Sequence, residues 1–135
     1  NLGPALEHGA VIGSTGEGRI AAATRADYAA ADVAVLLDPS LRGGTYELAG
    51  HAFTMADYAA ALSTATGRTI PYVDLPGEEY RGALLGAGLP EPLVEFLVDA
   101  DLGIARGELD AESTTLERLA GRPLTSLADT LAAAL

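Results

Sequence analysis

The chain has 135 residues, 49% of them apolar and only 5% aromatic, which fills the core of one ordinary domain and excludes intrinsic disorder. It has no Cys, so a disulfide framework, thiolate metal sites and a Cys nucleophile are excluded, and its net charge of −11 repels nucleic acid and anionic membrane surfaces. No apolar run approaches the roughly 20 residues of a membrane span, and Asn1 to Ala10 carries no basic leader, so a soluble, cytoplasmic protein is expected.

With so few aromatics and no Trp, the core must be built from Ala, Leu, Val and Ile, which bury less area per residue and leave a thin stability margin. The opening Asn1-Leu2-Gly3-Pro4, without an initiator Met, reads as a segment of something longer.

The first strand candidates are Ala10 to Gly13 and Arg19 to Ala23, separated by Gly13-Ser14-Thr15-Gly16-Glu17-Gly18. Glycines in such a run suit a turn, and a β-hairpin or a loop excursion is expected. The run reads G-x-x-G-x-G. It is neither the G-x-G-x-x-G of a dinucleotide-binding turn nor a P-loop, and Glu17 inside it would oppose a phosphate. A structural turn is the better reading.

A helix is expected over 25–37, where Thr24 stands three residues before Asp27 in an Asp version of the capping box. Strand candidate Tyr46 to Ala49 follows, and then Thr54 and Asp57 open a second helix, 55–66, with nearly the same words, T-x-x-D-Y-A-A-A. Convergence on good capping explains this repeat better than duplication. Gly67 is a suitable C-terminal cap, and Pro71 to Leu75 is the last strand candidate. Helices at 77–87, 91–102, 114–120 and 126–134 complete the chain, with Pro92 in a first turn, a standard capping box at Thr114 to Glu117 and an Asp variant at Ser126 to Asp129. Short strands plus about six helices make an α/β piece. So few strands leave unpaired edges, and the strands are expected to complete a sheet that begins outside this sequence.

Few residues stand out as chemistry. All eight basic residues are Arg, so no Tyr-Lys catalytic pair can be assembled here, and no G-x-S-x-G elbow exists. The two histidines, His8 and His51, have no ligand-spaced partners, so no metal site is expected. His8 suits either a turn or a pocket lining. Arg25 meets the positive end of a helix dipole and needs a reason to be there, either a structural ion pair or an anionic or carbonyl ligand; Asp27 is accounted for by the dipole. Leu93, Phe96 and Leu97 share a helical face that fills a core or walls an apolar pocket, opposite a solvated stripe of Glu91, Glu95 and Asp99.

The run His8 to Ala29, with Tyr46-Glu47-Leu48-Ala49-Gly50, Gly88-Leu89-Pro90, Gly107-Glu108-Leu109 and Leu119 to Leu127 in the same order, resembles the C-terminal part of bacterial type 2 NAD(P)H:quinone oxidoreductases. These are atypical short-chain dehydrogenases/reductases of the NmrA-like kind. The resemblance implies that residues 1–135 form the substrate-side lobe of a Rossmann-like reductase. An N-terminal Rossmann lobe, absent from this chain, would bind most of the NAD(P)H, and this lobe would dock on it. It further implies hydride transfer to a small quinone-like substrate, with Arg25, Phe96, Leu93, Leu97 and His8 as the substrate-binding candidates. A fragment without the cofactor lobe would be inactive. NmrA-like regulators that sense dinucleotides without turnover are the alternative.

Overall fold

A computed structural model describes residues 2–112 and 114–135. It is an α/β arrangement of seven α-helices and four short strands: α1 Leu2–His8, β1 Val11–Gly13, β2 Arg19–Ile20, α2 Arg25–Leu37, β3 Phe53–Thr54, α3 Met55–Thr66, β4 Tyr72–Asp74, α4 Gly77–Gly86, α5 Glu91–Ala105, α6 Thr115–Ala120 and α7 Leu127–Ala134. Six of the helices fall where capping and periodicity put them. The seventh, α1, was not expected from the sequence. Among the described residues no helix is long and apolar enough to cross a membrane.

The two helices that begin with the same words are finished differently. At α3 the box closes on itself: the Asp57 amide donates to Thr54 Oγ1 at 3.1 Å and the Thr54 amide donates to Asp57 Oδ2 at 2.9 Å, all at the surface. At α2 the Asp27 amide likewise donates to Thr24 Oγ1, but the Asp27 carboxylate is fully buried and turned toward the far end of the chain. There it meets Arg122 Nη2 at 2.7 Å and accepts from the Thr125 amide at 3.2 Å, while Thr24 Oγ1 donates to it at 2.7 Å. The dipole therefore accounts for only part of Asp27. Ser126 caps α7 in the expected Asp-variant way. Thr114, whose spelling was the standard one, makes no side-chain cap, because its ψ of 1° is not the extended backbone that aims a hydroxyl at the third amide.

The expected β1–β2 hairpin does not form, and the loop excursion does. β1 pairs in parallel with β4, Val11 opposite Tyr72 and Gly13 opposite Asp74, and β2 pairs antiparallel with β3. Burial decides this: Val11 is 2% exposed, and the β4 side brings it into a core with Leu62 and Ile70. Tyr46 to Ala49 forms no strand among the described residues, since a strand exists only by its ladder.

Three small cores replace one large one. Ala5, Val11, Met55, Ala59, Leu62, Ile70 and Leu131 gather around α3; Ala31, Leu116, Leu119 and Leu124 join α2 to α6; Tyr80, Leu84 and Val94 join α4 to α5. Asp27 ties the second core to α7 and so to the first. Burial pushes its carboxyl up, but the hydrogen bonds from Thr24 and Thr125 and the charge of Arg122 outweigh burial and hold it below its ordinary 3.8.

Asp27→Ala should therefore cost about 3 kcal/mol in denaturant unfolding, whereas Asp57→Ala, in the same words, should cost only about 1 kcal/mol. Because the folded-state value of Asp27 is the lower one, its stabilisation is present above the ordinary carboxylate range and is lost as pH falls through the folded value. The gap between the two variants should close as the pH is taken below the ordinary carboxylate range and through the lowered folded-state value of Asp27, measured by urea midpoints.

Candidate functional site

The carboxyl ends of parallel strands are where open α/β sheets bind ligands. In this chain the end of β1 leads into the glycine-rich loop, and three successive amides of that loop are already taken. The Ser14 amide donates to Asp101 Oδ2 at 2.8 Å, the Thr15 amide to the Tyr72 hydroxyl at 3.0 Å and the Gly16 amide to Asp74 Oδ1 at 2.9 Å. The Tyr72 hydroxyl in turn donates to Asp74 Oδ1 at 2.9 Å. Gly18 has to be glycine, because a Cβ there would sit 2.2 Å from the Ile104 carbonyl oxygen. A phosphate cradle needs free amides and no anion nearby. This loop has two carboxylates on its amides, so it does not fit the pyrophosphate of a dinucleotide.

The same cluster shifts two titrations. Burial, then the Asp101 charge, pushes the Tyr80 phenol up to about 12. Burial also raises Asp101, against the hydrogen bond from the Ser14 amide. Both groups brace α5 against β1.

A mostly apolar cavity lies elsewhere, a cleft of about 440 Å³ between the start of α2, β3, α3 and the start of α7. That volume suits a one- or two-ring ligand. Its walls are mostly apolar, with Ala23, Phe53, Leu124, Leu127 and Leu131 among them. Of its polar groups, Thr24 and Thr125 are committed to Asp27, Ser126 caps Asp129 and Thr130 donates to the Ser126 carbonyl. Tyr58 also lines it, and its hydroxyl makes no hydrogen bond among the described residues; burial raises its phenol. His51 stands at the mouth, Nε2 3.9 Å from Glu117 Oε2. The cleft thus offers a flat apolar slot with a phenol donor and an imidazole for a ligand that carries carbonyl oxygens.

None of the five residues singled out from the sequence lines this cleft. His8 ends α1 and is exposed, as is Arg25, the first residue of α2. Arg25 has no hydrogen bond or ion pair among the described residues, so no internal salt bridge explains it. Leu93 and Phe96 are 43% and 67% exposed on α5, while Leu97 packs at the edge of the third core. At 100° per residue, the side of α5 that meets α4 is centred on Val94, which is fully buried. The acidic stripe is not simply solvated either. Arg81 of α4 donates to Glu91 at 2.8 Å and to Glu95 at 2.5 Å, clamping the two helices. His51 and Tyr58 were missed as pocket residues; the only sequence signal was their place either side of the Thr54 helix start.

No family model matches the chain. It is 44% identical over 128 residues to quinone oxidoreductase 2 of Escherichia coli, covering 94% of this chain and 45% of that protein. An NAD(P)H azoreductase of Xenophilus azovorans is 31% identical over 84% of the chain. Among solved structures, the NADPH complex of an Escherichia coli NADPH-dependent quinone oxidoreductase superposes with a TM-score of 0.92 at 42% identity, over 98% of this chain and 47% of that one. Citrobacter triphenylmethane reductase, complexed with NADP(H), gives 0.92 at 31% identity, over 100% and 48%. The resemblance read from the sequence stands on these homologues. The chain spans a little under half the length of each, consistent with a C-terminal portion of such proteins.

The loop analysis has a pH consequence. The raised folded-state value of Asp101 means that its ionised form costs stability, a cost absent well below the ordinary carboxylate range and present once pH exceeds the folded value. Asp101→Asn, which keeps an acceptor for the Ser14 amide, should gain on the parent as pH rises from 4 to 7. Thermal midpoints of the two proteins across that range, with the difference moving toward the variant, are the check.

Proposed function

We propose, from this homology to the C-terminal portion of quinone oxidoreductase-type reductases, that the chain is the substrate-side lobe of an NAD(P)H-dependent enzyme passing hydride to a quinone-like acceptor. The observation that carries the reading is the 44% identity to a quinone oxidoreductase across 94% of the chain. The alternative, a sensor without turnover, has no comparable support, since the relatives are named for reductase activities. In this reading NAD(P)H is held mainly by an N-terminal Rossmann lobe on which this lobe docks, in keeping with a glycine loop whose amides are spent on Asp74, Asp101 and Tyr72. The lobe alone would then be inactive, and the complete enzyme cytoplasmic.

The 440 Å³ cleft is the acceptor slot in this reading, with Tyr58 donating to a ring carbonyl and His51 at the mouth. A second place is favoured by one specific observation. Phe96, at 67% exposed, fills no core, and with Leu93 it presents an apolar edge that could close over a larger acceptor once the lobes are together. Leu97 supports that edge from behind, and Arg25 and His8 would contribute polar groups at the lobe boundary.

Two measurements test this. Calorimetric titration of the 135-residue chain with NADPH should give no binding tighter than about 10 μM, or about 7 kcal/mol; tighter binding would sink the division of labour between lobes. In the complete enzyme, Tyr58→Phe should raise the Michaelis constant for every quinone several-fold, whereas Phe96→Ala should raise it for large quinones only. Both variants should melt within about 1 kcal/mol of the parent. If neither constant moves while the enzyme turns over, the acceptor binds at neither place.

A further inference from the structure

Two distant stretches of the chain that line the apolar cleft are held by one carboxylate that is not itself in the cleft. Residues 22–24 and 124–127 both line it, whereas Asp27 and Arg122 do not. Asp27 is fully buried and grips a residue from each stretch. Its Oδ2 accepts from Thr24 Oγ1 at 2.7 Å and from the Thr125 amide at 3.2 Å, and its Oδ1 accepts from Arg122 Nη2 at 2.7 Å and Thr125 Oγ1 at 3.4 Å. Four donors on two oxygens fill the acceptor sites of a carboxylate. Thr24 and Thr125 therefore cannot move apart without losing one of these bonds.

Arg122 adds what a neutral partner would not. Gly121, at φ 67°, ends α6, and from the next position the guanidinium reaches Asp27 while its Nη1 donates to the Pro123 carbonyl at 3.2 Å. One planar fork thus ties the carboxylate to the backbone that leads into the lining residues. Residues 121–126 belong to no helix or strand, so their path depends on these side-chain bonds and on Leu124 in the second core. Apolar contact is non-directional and sets no separation of its own. A buried ion pair adds little stability over apolar residues of similar volume, and its best use is to fix one geometry among alternatives.

We propose that Asp27 and Arg122 are positioning residues that fix the width of the cleft and so decide the size of the flat ring system that it accepts. This rests on the reading of the cleft as the acceptor slot. The pair acts on a bound acceptor through Thr24 and Thr125 without touching it, so it governs acceptor binding and leaves the cofactor alone. A cleft of about 440 Å³ suits one or two rings. A pinned lining holds a third ring out, and a freed one yields to it. Selectivity of this kind comes from resisting the wrong ligand rather than from a new attraction to the right one.

Steady-state kinetics of the complete enzyme with naphthoquinone, of two rings, and phenanthrenequinone, of three, test this. The readout is the ratio of the two kcat/KM values on one sample, which cancels any loss of folded enzyme that a purely structural role would cause. Arg122→Met should lower the two-ring preference roughly fivefold and raise the Michaelis constant for naphthoquinone by a similar factor, with that for NADPH unchanged. Arg122→Lys keeps the charge but not the fork, and should fall between the parent and Arg122→Met. Should Arg122→Met fail to fold, Arg122→Lys carries the test alone, with the preference lowered about twofold. A preference unchanged or raised in the folded variant would overturn the proposal. Naphthoquinone binding without cofactor, followed by saturation-transfer NMR, separates it from the reading beneath it. A complex weakened by Arg122→Met, in a parent that shows no turnover, removes the reductase and leaves the positioning pair. A complex weakened by Tyr58→Phe but not by Arg122→Met keeps the slot and removes the pair. If neither substitution changes the binding, the cleft is not the slot and the proposal falls with it.

Discussion

The Asp27 carboxylate is shielded from water, and the arrangement of the helices follows from what neutralises it. An unpaired charge in that position would be lost to protonation or would unfold the site. The chain answers with Arg122, the Thr125 amide and the Thr24 hydroxyl, groups drawn from both ends of the sequence. Arg122 follows α6 and Thr125 precedes α7, so holding the carboxylate fixes both helices against the start of α2. The same fixation builds the apolar cleft, because Thr24 and Thr125 are at once ligands of Asp27 and parts of its wall. Pocket and buried charge are one construction.

A second polar pin does for α5 what Asp27 does for α7. Asp101 takes the Ser14 amide, and Tyr80 sits against it, so the α4–α5 pair is fastened by a hydrogen bond to the residue that follows β1. Small cores of Ala, Leu and Val need such fastening, since each supplies little area of its own. The fastening has a chemical side effect. A glycine loop whose Ser14, Thr15 and Gly16 amides are spent on Asp101, Tyr72 and Asp74 presents carboxylates where a phosphate cradle would need free amides.

What the chain leaves unsatisfied is as informative as what it satisfies. The exposed Val33, Leu36 and Leu37 of α2 are a feature that a folded protein normally covers. Arg25, exposed and without a hydrogen bond or ion pair among the described residues, opens the same helix.

The sequence by itself determined six of the helices and most of their caps, because a cap is a hydrogen bond between residues three apart and the helical face repeats every three or four. It also determined the kinship, through runs such as His8 to Ala29. Only the tertiary structure decided that β1 pairs with β4 and not with its neighbour β2, and that Val94 rather than Phe96 enters the core. It alone decided which of two nearly identically spelled helix starts becomes a buried anchor. Thr24 to Asp27 and Thr54 to Asp57 have the same local chemistry. Their fates differ in whether the path of the chain brings the Thr125 amide from 98 residues away, and Arg122 with it, and no short-range pattern encodes that.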